Sequence, residues 1–291
     1  MMIVLLTSLG ALTAVFGYIF AADFIKNKEK LPHGRWHHLL GIGFVTNFFD
    51  TLGIGSFAPA TALFKMFKLV PDRLIPGTLN TSNTIPVIFQ AFIFITIIEV
   101  EPITLIGMII SSVAGAVLGA GIVAKLPERK IQLGMGIALL IVAFVMFAGL
   151  MDWFPIGGEA IGLKGGKLIF AIAANFVIGA LMTIGVGSYA PCMALVYSLG
   201  MSPRAAFPIM MGSCAFLMPA ASIKFVKKNS QDRKASLAIT IGGIAGVPLA
   251  AYLVKSLPLT ILKWVIIGVV LYTSAMMFKS VAEKVDKQEN I

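Results

Sequence analysis

Gly53-Ile54-Gly55-Ser56-Phe57-Ala58-Pro59 returns 132 residues later as Gly185-Val186-Gly187-Ser188-Tyr189-Ala190-Pro191. Both copies lie inside long apolar stretches, where a glycine pair followed by proline breaks a helix. The likeness spreads outward from them. Pro71 and Pro76 pair with Pro203 and Pro208 at the same offset, and Pro86 with Pro219 one residue later. Gly115-Ala-Val-Leu-Gly-Ala pairs with Gly246-Val-Pro-Leu-Ala-Ala, and Leu126-Pro127 with Leu257-Pro258. The chain therefore divides into a leading segment (1–35), repeat unit one (36–151), a polar glycine-rich linker (152–167), repeat unit two (168–280) and a charged tail (281–291).

Composition names the solvent. Of 291 residues, 58% are hydrophobic and 12% charged, with a mean hydropathy of +0.94. Soluble domains carry about 25% charged residues, so lipid is the expected surroundings. Charge-free runs at 1–22, 74–98, 103–124, 131–151, 168–203, 205–223 and 235–254 are each near or above the ~20 residues that cross a bilayer core as a helix. A run at 257–278 carries only Lys263. Without sustained alternation of apolar and polar residues, a membrane β-barrel is not expected. The net charge of +10 sits in short loops beside the apolar runs, which points to membrane topology and away from nucleic acid. The first run lacks a basic start and a small-residue cleavage site, so it reads as a retained helix. Cys192 and Cys214 stand in apolar context, with no metal or disulfide spacing.

The run at 168–203 is 36 residues long, too long for one straight crossing at about 1.5 Å per residue. Each broken segment either crosses once with a kink or dips in and returns. The count of Lys and Arg favours the second. With the amino terminus outside and both segments re-entrant, 18 of 23 basic residues fall on the cytoplasmic side; single crossings give 14 to 9 at best. A unit of one hairpin and three crossings is odd, so unit two is expected upside down relative to unit one. The expected fold is thus an all-α membrane protein of two inverted repeats with one extra N-terminal helix. Such folds bind their cargo where the broken helices meet near the midplane.

The motifs resemble those of the TauE/SafE sulfite exporter family. The resemblance rests on Gly53-Ile-Gly-Ser-Phe with Pro59, Gly185-Val-Gly-Ser-Tyr with Pro191, and the following helices with Gly77-Thr-Leu-Asn-Thr-Ser-Asn-Thr84 and Gly212-Ser-Cys-Ala215. It runs from about residue 40 to 278. The family's Gly-Ile-Gly-Gly-Gly becomes Ser-Phe and Ser-Tyr at its end here, which places a bulkier tip at each break. The resemblance implies movement of sulfite, sulfonates or related sulfur-containing anions across the cytoplasmic membrane, often in exchange with or driven by ions.

Candidate substrate-binding residues follow from the breaks. A helix that restarts after an unwound turn offers free N–H groups and the positive end of its dipole to an oxyanion. Gly53, Gly55, Gly185 and Gly187 permit the turn, Ser56 and Ser188 add hydroxyls, and Phe57 and Tyr189 wall the site. In the next helices Asn80, Thr81 and Asn83 form a polar stripe within a charge-free run, matched in unit two by Gly212 and Ser213. Asn80 and Asn83 share a face and are expected to donate amide N–H groups to the anion. Packing of small residues and interhelical hydrogen bonds is the plainer alternative for both groups. Asp50, with Asn47 one turn earlier and Asn175 in the matching arm, is the candidate for a coupling proton or cation; its repeat partner is Met182. Asp50 also suits a lysine partner or a helix cap. Arg73 and Arg204 suit anion steering or interfacial anchoring. His33, His37 and His38 with Trp36 read as an interfacial loop and supply too few ligands for a metal. The partners expected are a small anion, a coupling proton or cation and the lipid bilayer. No cofactor, metal or catalytic residue is expected, because no nucleophile–base pair is in view.

Overall fold

A computed structural model describes residues 2–28, 36–123, 125–153, 158–185 and 187–253, with residues 264, 267–268, 270–272, 274–279 and 281–282 beyond them. Among these, every regular element is a helix: α1 (Met2–Asn27), α2 (Trp36–Thr51), α3 (Phe57–Met66), α4 (Ile75–Ile97), α5 (Pro102–Val123), α6 (Glu128–Leu150), α7 (Gly165–Met182), α8 (Tyr189–Ser198), α9 (Ala206–Lys227) and α10 (Arg233–Leu253). Seven are long and apolar enough to cross a membrane: α1, α4, α5, α6, α7, α9 and α10. This set differs from the expected seven in one place. α7 was assigned to a hairpin arm, yet its 18 residues reach the length of a crossing. Half of the expected last crossing at 257–278 lies outside the described residues, as do the loop with His33 and most of the tail.

Both breaks form, and glycine is the reason. Gly53 (φ +84°) ends α2: its N–H bonds the Asp50 carbonyl at 2.9 Å, and the Ile54 N–H reaches back to Phe49 at 3.3 Å. This is a left-handed helix stop, in which glycine avoids the steric cost of a Cβ. Gly185 (φ +103°) ends the second copy, with its N–H on the Met182 carbonyl at 3.0 Å. Val186 lies outside the described residues. Pro59 and Pro191 fall in the first turns of α3 and α8, where a missing N–H costs no helical bond.

Close contacts fix the directions of the helices. Gly43 lies against Ile239 and Gly246 against Phe44 and Phe48, so α2 runs parallel to α10. Thr78 accepts from the Asp232 N–H and Thr240 donates to the Ser82 carbonyl, each at 2.8 Å, so α4 also runs parallel to α10. Two helices of one unit, α2 and α4, thus point the same way, and the chain turns back between them. Unit two repeats the pattern. Gly107 meets Ile172 and Gly119 meets Thr183, which makes α5 and α7 parallel. Gly212 meets Ile109 and the Lys224 amine bonds the Val117 carbonyl, so α9 runs with them. At the centre α4 and α9 are antiparallel: Gly77 lies against Ser230, Thr84 bonds Ser222 at 3.1 Å, and Gly212 lies against Ile95. Backbones approach closely enough at these crossings that a Cβ at Gly43 would sit 2.5 Å from the Ile239 carbonyl oxygen. Close packing of small residues is what holds helices together in lipid, where no hydrophobic force distinguishes a neighbour from a lipid tail.

α1 lies outside this core. It buries Leu9, Phe16 and Phe20 and is tied at its end by Asp23, whose carboxylate accepts from Arg233 at 2.8 and 3.0 Å. The two ends of the bundle differ in charge. The ends of α1, α5 and α9 and the starts of α4, α6 and α10 gather at one end with Lys26, Lys65, Arg129, Lys224, Lys228 and Arg233, where Asp72 pairs with Lys65 and accepts from Gln132 at 2.8 Å. The other end carries Glu99, Glu101, Asp152 and Glu159 with Lys164, Lys167 and Arg204. There the Glu101 carboxylate caps α5, accepting from the Thr104 N–H and hydroxyl at 2.7 Å each, and these bonds hold its pKa below the usual value.

Candidate functional site

The two restarts meet. Gly187 lies against Phe57, and Asp50, Gly55, Ser56, Phe57, Val87, Met182, Gly187, Ser188, Tyr189 and Cys214 enclose one cavity at the centre of the bundle. Its volume is about 10 Å³, close to the room one water needs. Ser56 and Ser188 are 2% and 4% exposed, and the cavity as it stands has no room for a sulfur oxyanion.

One network spans the two breaks. The Asp50 carboxylate accepts from Gln90 Nε2 at 2.8 Å, from the Tyr189 hydroxyl at 3.3 Å, and from both the hydroxyl and N–H of Ser56. Tyr189 donates also to Gln90 Oε1 at 2.8 Å. Asp50 thus sits at the start of α3 as an internal anion on the very donors the first break frees. It bonds neutral donors only among the described residues. At the second break Ser188 bonds the Cys214 sulfur at 2.9 Å, and Met182 stands where Asp50 stands in unit one.

Other expected site residues lie further out. Gly53 rests under Phe207, and Gly185 against Met135 and Leu79. Asn80, Thr81 and Asn83 are fully buried, but they do not line the cavity. The amides of Asn80 and Asn83 are engaged within their own helix, Asn80 Nδ2 on the Pro76 carbonyl at 2.9 Å and Asn83 Nδ2 on the Leu79 carbonyl at 2.8 Å. In this state those N–H groups do not reach toward an anion. Asn175 ties three helices, donating to the Met108 carbonyl at 2.7 Å and to Ser213 at 3.1 Å. Gly212 admits Ile95 and Ile109, and Asn47 donates to the Gly43 carbonyl beside Gly243. Arg204 borders a recess of about 670 Å³ at the less basic end, whose wall residue Phe207 stacks on Phe94 at 5.3 Å. Arg73 lies at the opposite end, in the short turn before α4. The rings of His37 and His38 lie 4.2 Å apart, tilted by 40°, in the first turn of α2.

Sequence reasoning missed Val87, Met182 and Cys214 as cavity residues and Gln90 as the partner of Asp50 and Tyr189. Gln90 carried a legible signal. It is an amide in a charge-free run, and the spacing 80, 83, 87, 90 puts it on the face of the two asparagines.

The match to a known family settles the class. Residues 2–146 and 168–290 match the family described as sulfite exporter TauE/SafE. The chain belongs to the TauE/SafE family. The match begins within α1, so the leading helix is inside it, and it omits the end of α6 and the linker. No curated protein and no solved structure matches the chain. As a TauE/SafE protein it is a member of a family of integral membrane transporters.

Proposed function

We propose that this chain is a permease that moves a small sulfur-containing oxyanion, such as sulfite or an organosulfonate, across the cytoplasmic membrane by alternating access. The observation that carries the reading is the meeting of both helix restarts on one small buried cavity. In the open states the anion takes the N–H groups at the start of α8, the Ser188 hydroxyl and the Tyr189 phenol, with Phe57 as its apolar wall. Two inverted repeats give the means. The antiparallel contact of α4 with α9, and the exchange by which α2 packs on α10 and α7 on α5, are what a two-fold axis in the membrane plane produces. The turn of direction between α2 and α4 supports re-entrant segments. The basic end of the bundle is assigned to the cytoplasm and the amino terminus to the outside. No covalent chemistry is part of this reading.

A second reading concerns coupling. A buried carboxylate with neutral partners borders the cavity that receives an anion, and two like charges in one small, dry space repel strongly. Uptake of a proton by Asp50 as the anion enters removes that conflict, making the carrier a proton–anion symporter.

A thermal-shift screen of the detergent-purified protein tests the first reading. Sulfite, thiosulfate, sulfoacetate, taurine, sulfate and carboxylate controls are compared, because a ligand of the folded state raises the melting temperature by mass action. Stabilisation by a sulfur oxyanion, lost in Ser188→Ala with Tyr189→Phe, supports it. Equal response to all anions overturns it. For the second, a pH gradient drives anion uptake into proteoliposomes with the native chain and fails to do so with Asp50→Asn; a gradient without effect on the native chain sinks it.

A further inference from the structure

Asn80 and Asn83 lie on the face of α4 that presents Val87 to the cavity and Gln90 to Asp50, on the side toward the basic end. Both are 0% exposed. Their N–H groups have partners: Asn80 Nδ2 bonds Pro76 O at 2.9 Å and Met182 O at 3.5 Å, and Asn83 Nδ2 bonds Leu79 O at 2.8 Å and Ser82 Oγ at 3.2 Å. Because main-chain carbonyls only accept, these bonds fix which end of each amide is nitrogen. The two Oδ1 atoms are left over, and neither meets a hydrogen-bond partner among the described residues. Buried carbonyls without a partner are rare in folded proteins and call for one.

What surrounds them has the same sign. The Met182 contact sets Asn80 at the end of α7, where Thr183, Ile184 and Gly185 bond back three residues at 3.2, 3.0 and 3.0 Å. A helix end is the negative pole of its dipole, presented here beside Asn80, with Asn83 one turn further along the same face of α4. Such a place repels an anion. It suits a hard cation, which takes carbonyl, hydroxyl and unwound backbone oxygens as ligands. Neutral ligands suit a single charge. Unit two has Gly212 and Ala215 at the matching positions, so the pair exists once in the chain.

We propose that a monovalent cation of sodium's kind binds between Asn80 Oδ1, Asn83 Oδ1 and the carbonyl end of α7. It lies beside Met182, a wall residue of the cavity, so its charge favours an anion held there. The site goes beyond the anion reading and does not rest on it.

The test uses the full-length purified protein with no sulfur anion present. Melting temperature is followed while sodium chloride replaces choline chloride at constant ionic strength, with potassium and lithium chloride as parallel series. A saturable rise with sodium or another of the small cations, absent with choline, is expected. Asn80→Ala or Asn83→Ala should raise the half-saturating concentration at least tenfold, and Asn83→Asp should lower it by a similar factor. The Asp variant keeps the test open should either Ala variant fail to fold. Identical responses to choline and the metal cations overturn the site, as does a half-saturation unmoved by Asn83→Asp; the carbonyls then hold water alone. Chloride is common to every series, so failure here leaves the anion reading standing. An inert sulfite titration at saturating sodium would remove the anion reading and leave this site.

Discussion

At the first break a carboxylate accepts from the N–H and hydroxyl of Ser56 before the restarting helix; at the second, methionine stands in its place and Ser188 bonds a cysteine. The two breaks share a glycine in left-handed conformation, at Gly53 and Gly185, and a proline in the next first turn. Their chemistry differs. Asp50 takes the hydroxyl and N–H of Ser56 before α3, together with Gln90 and Tyr189. Among the described residues Met182 takes no donor from α8, and Ser188 turns to Cys214. The lesson is that repetition builds the frame and divergence sets the chemistry: under the proposed function, the first break carries the titrating carboxylate and the second receives the anion.

The strongest way to break this comparison is to make the second break like the first. Met182→Asp places a second carboxylate on the wall of a cavity that already has one. A buried charge without a partner costs about 3–5 kcal/mol. That cost falls on the fold, and the like charge also repels an entering anion. Uptake into proteoliposomes should vanish, while Met182→Leu should transport nearly as the native chain does. Transport by the Asp variant would show that the second break does not receive the anion. The converse change works on the first break. Asp50→Ala leaves Gln90 Nε2 and Ser56 without their acceptor, while Tyr189 keeps Gln90 Oε1, and each hydrogen bond to a charged group is worth about 1.5–3 kcal/mol. Its melting temperature should fall well below that of Asp50→Asn, which keeps an acceptor oxygen but cannot take up a proton. Uptake by the Asn variant should no longer vary with pH. A pH profile parallel to the native one would assign coupling elsewhere.

A milder change separates the breaks by packing. Gly53→Ala and Gly185→Ala each force a Cβ into left-handed backbone, at about 1–2 kcal/mol. The neighbours differ. At Gly185 the new methyl meets Met135, a flexible side chain; at Gly53 it comes 3.3 Å from the Phe207 ring, itself stacked on Phe94. Gly53→Ala should therefore melt lower than Gly185→Ala, and the reverse order would mean that the aromatic pair yields.

Much of this was legible before any coordinates, for physical reasons. A charge-free run must be a membrane helix, and Gly-x-Gly-Ser before proline must break it, so the breaks at Gly53 and Gly185 could be read directly. The cavity residues of the breaks themselves, Gly55, Ser56, Phe57, Gly187, Ser188 and Tyr189, were legible because the repeat marks them twice, and Asp50 because it is a lone carboxylate in an apolar segment. Val87, Met182 and Cys214 were not, because their place depends on how α4, α7 and α9 rotate about their axes. Asn80 and Asn83 show the same limit: the sequence demands a polar environment for each amide without saying which end faces it. Only the bonds to Pro76 and Leu79 decide that, and they leave carbonyl oxygen free where an N–H donor was expected.

The smallest expected effect is also the most direct comparison. Ser56→Ala and Ser188→Ala remove one hydroxyl from equivalent positions, each worth about 1 kcal/mol in a typical hydrogen bond. Ser188 faces the proposed anion, so its loss should weaken anion binding by about fivefold, read as a shift in half-saturation by thermal titration. Ser56 donates to Asp50, so its loss should leave anion affinity nearly unchanged and move the pH at which uptake changes. The two readouts thus cross: affinity follows the second break and pH follows the first. Equal shifts in both variants would mean that the two breaks share one role, and the asymmetry of Asp50 and Met182 would then be a matter of packing alone.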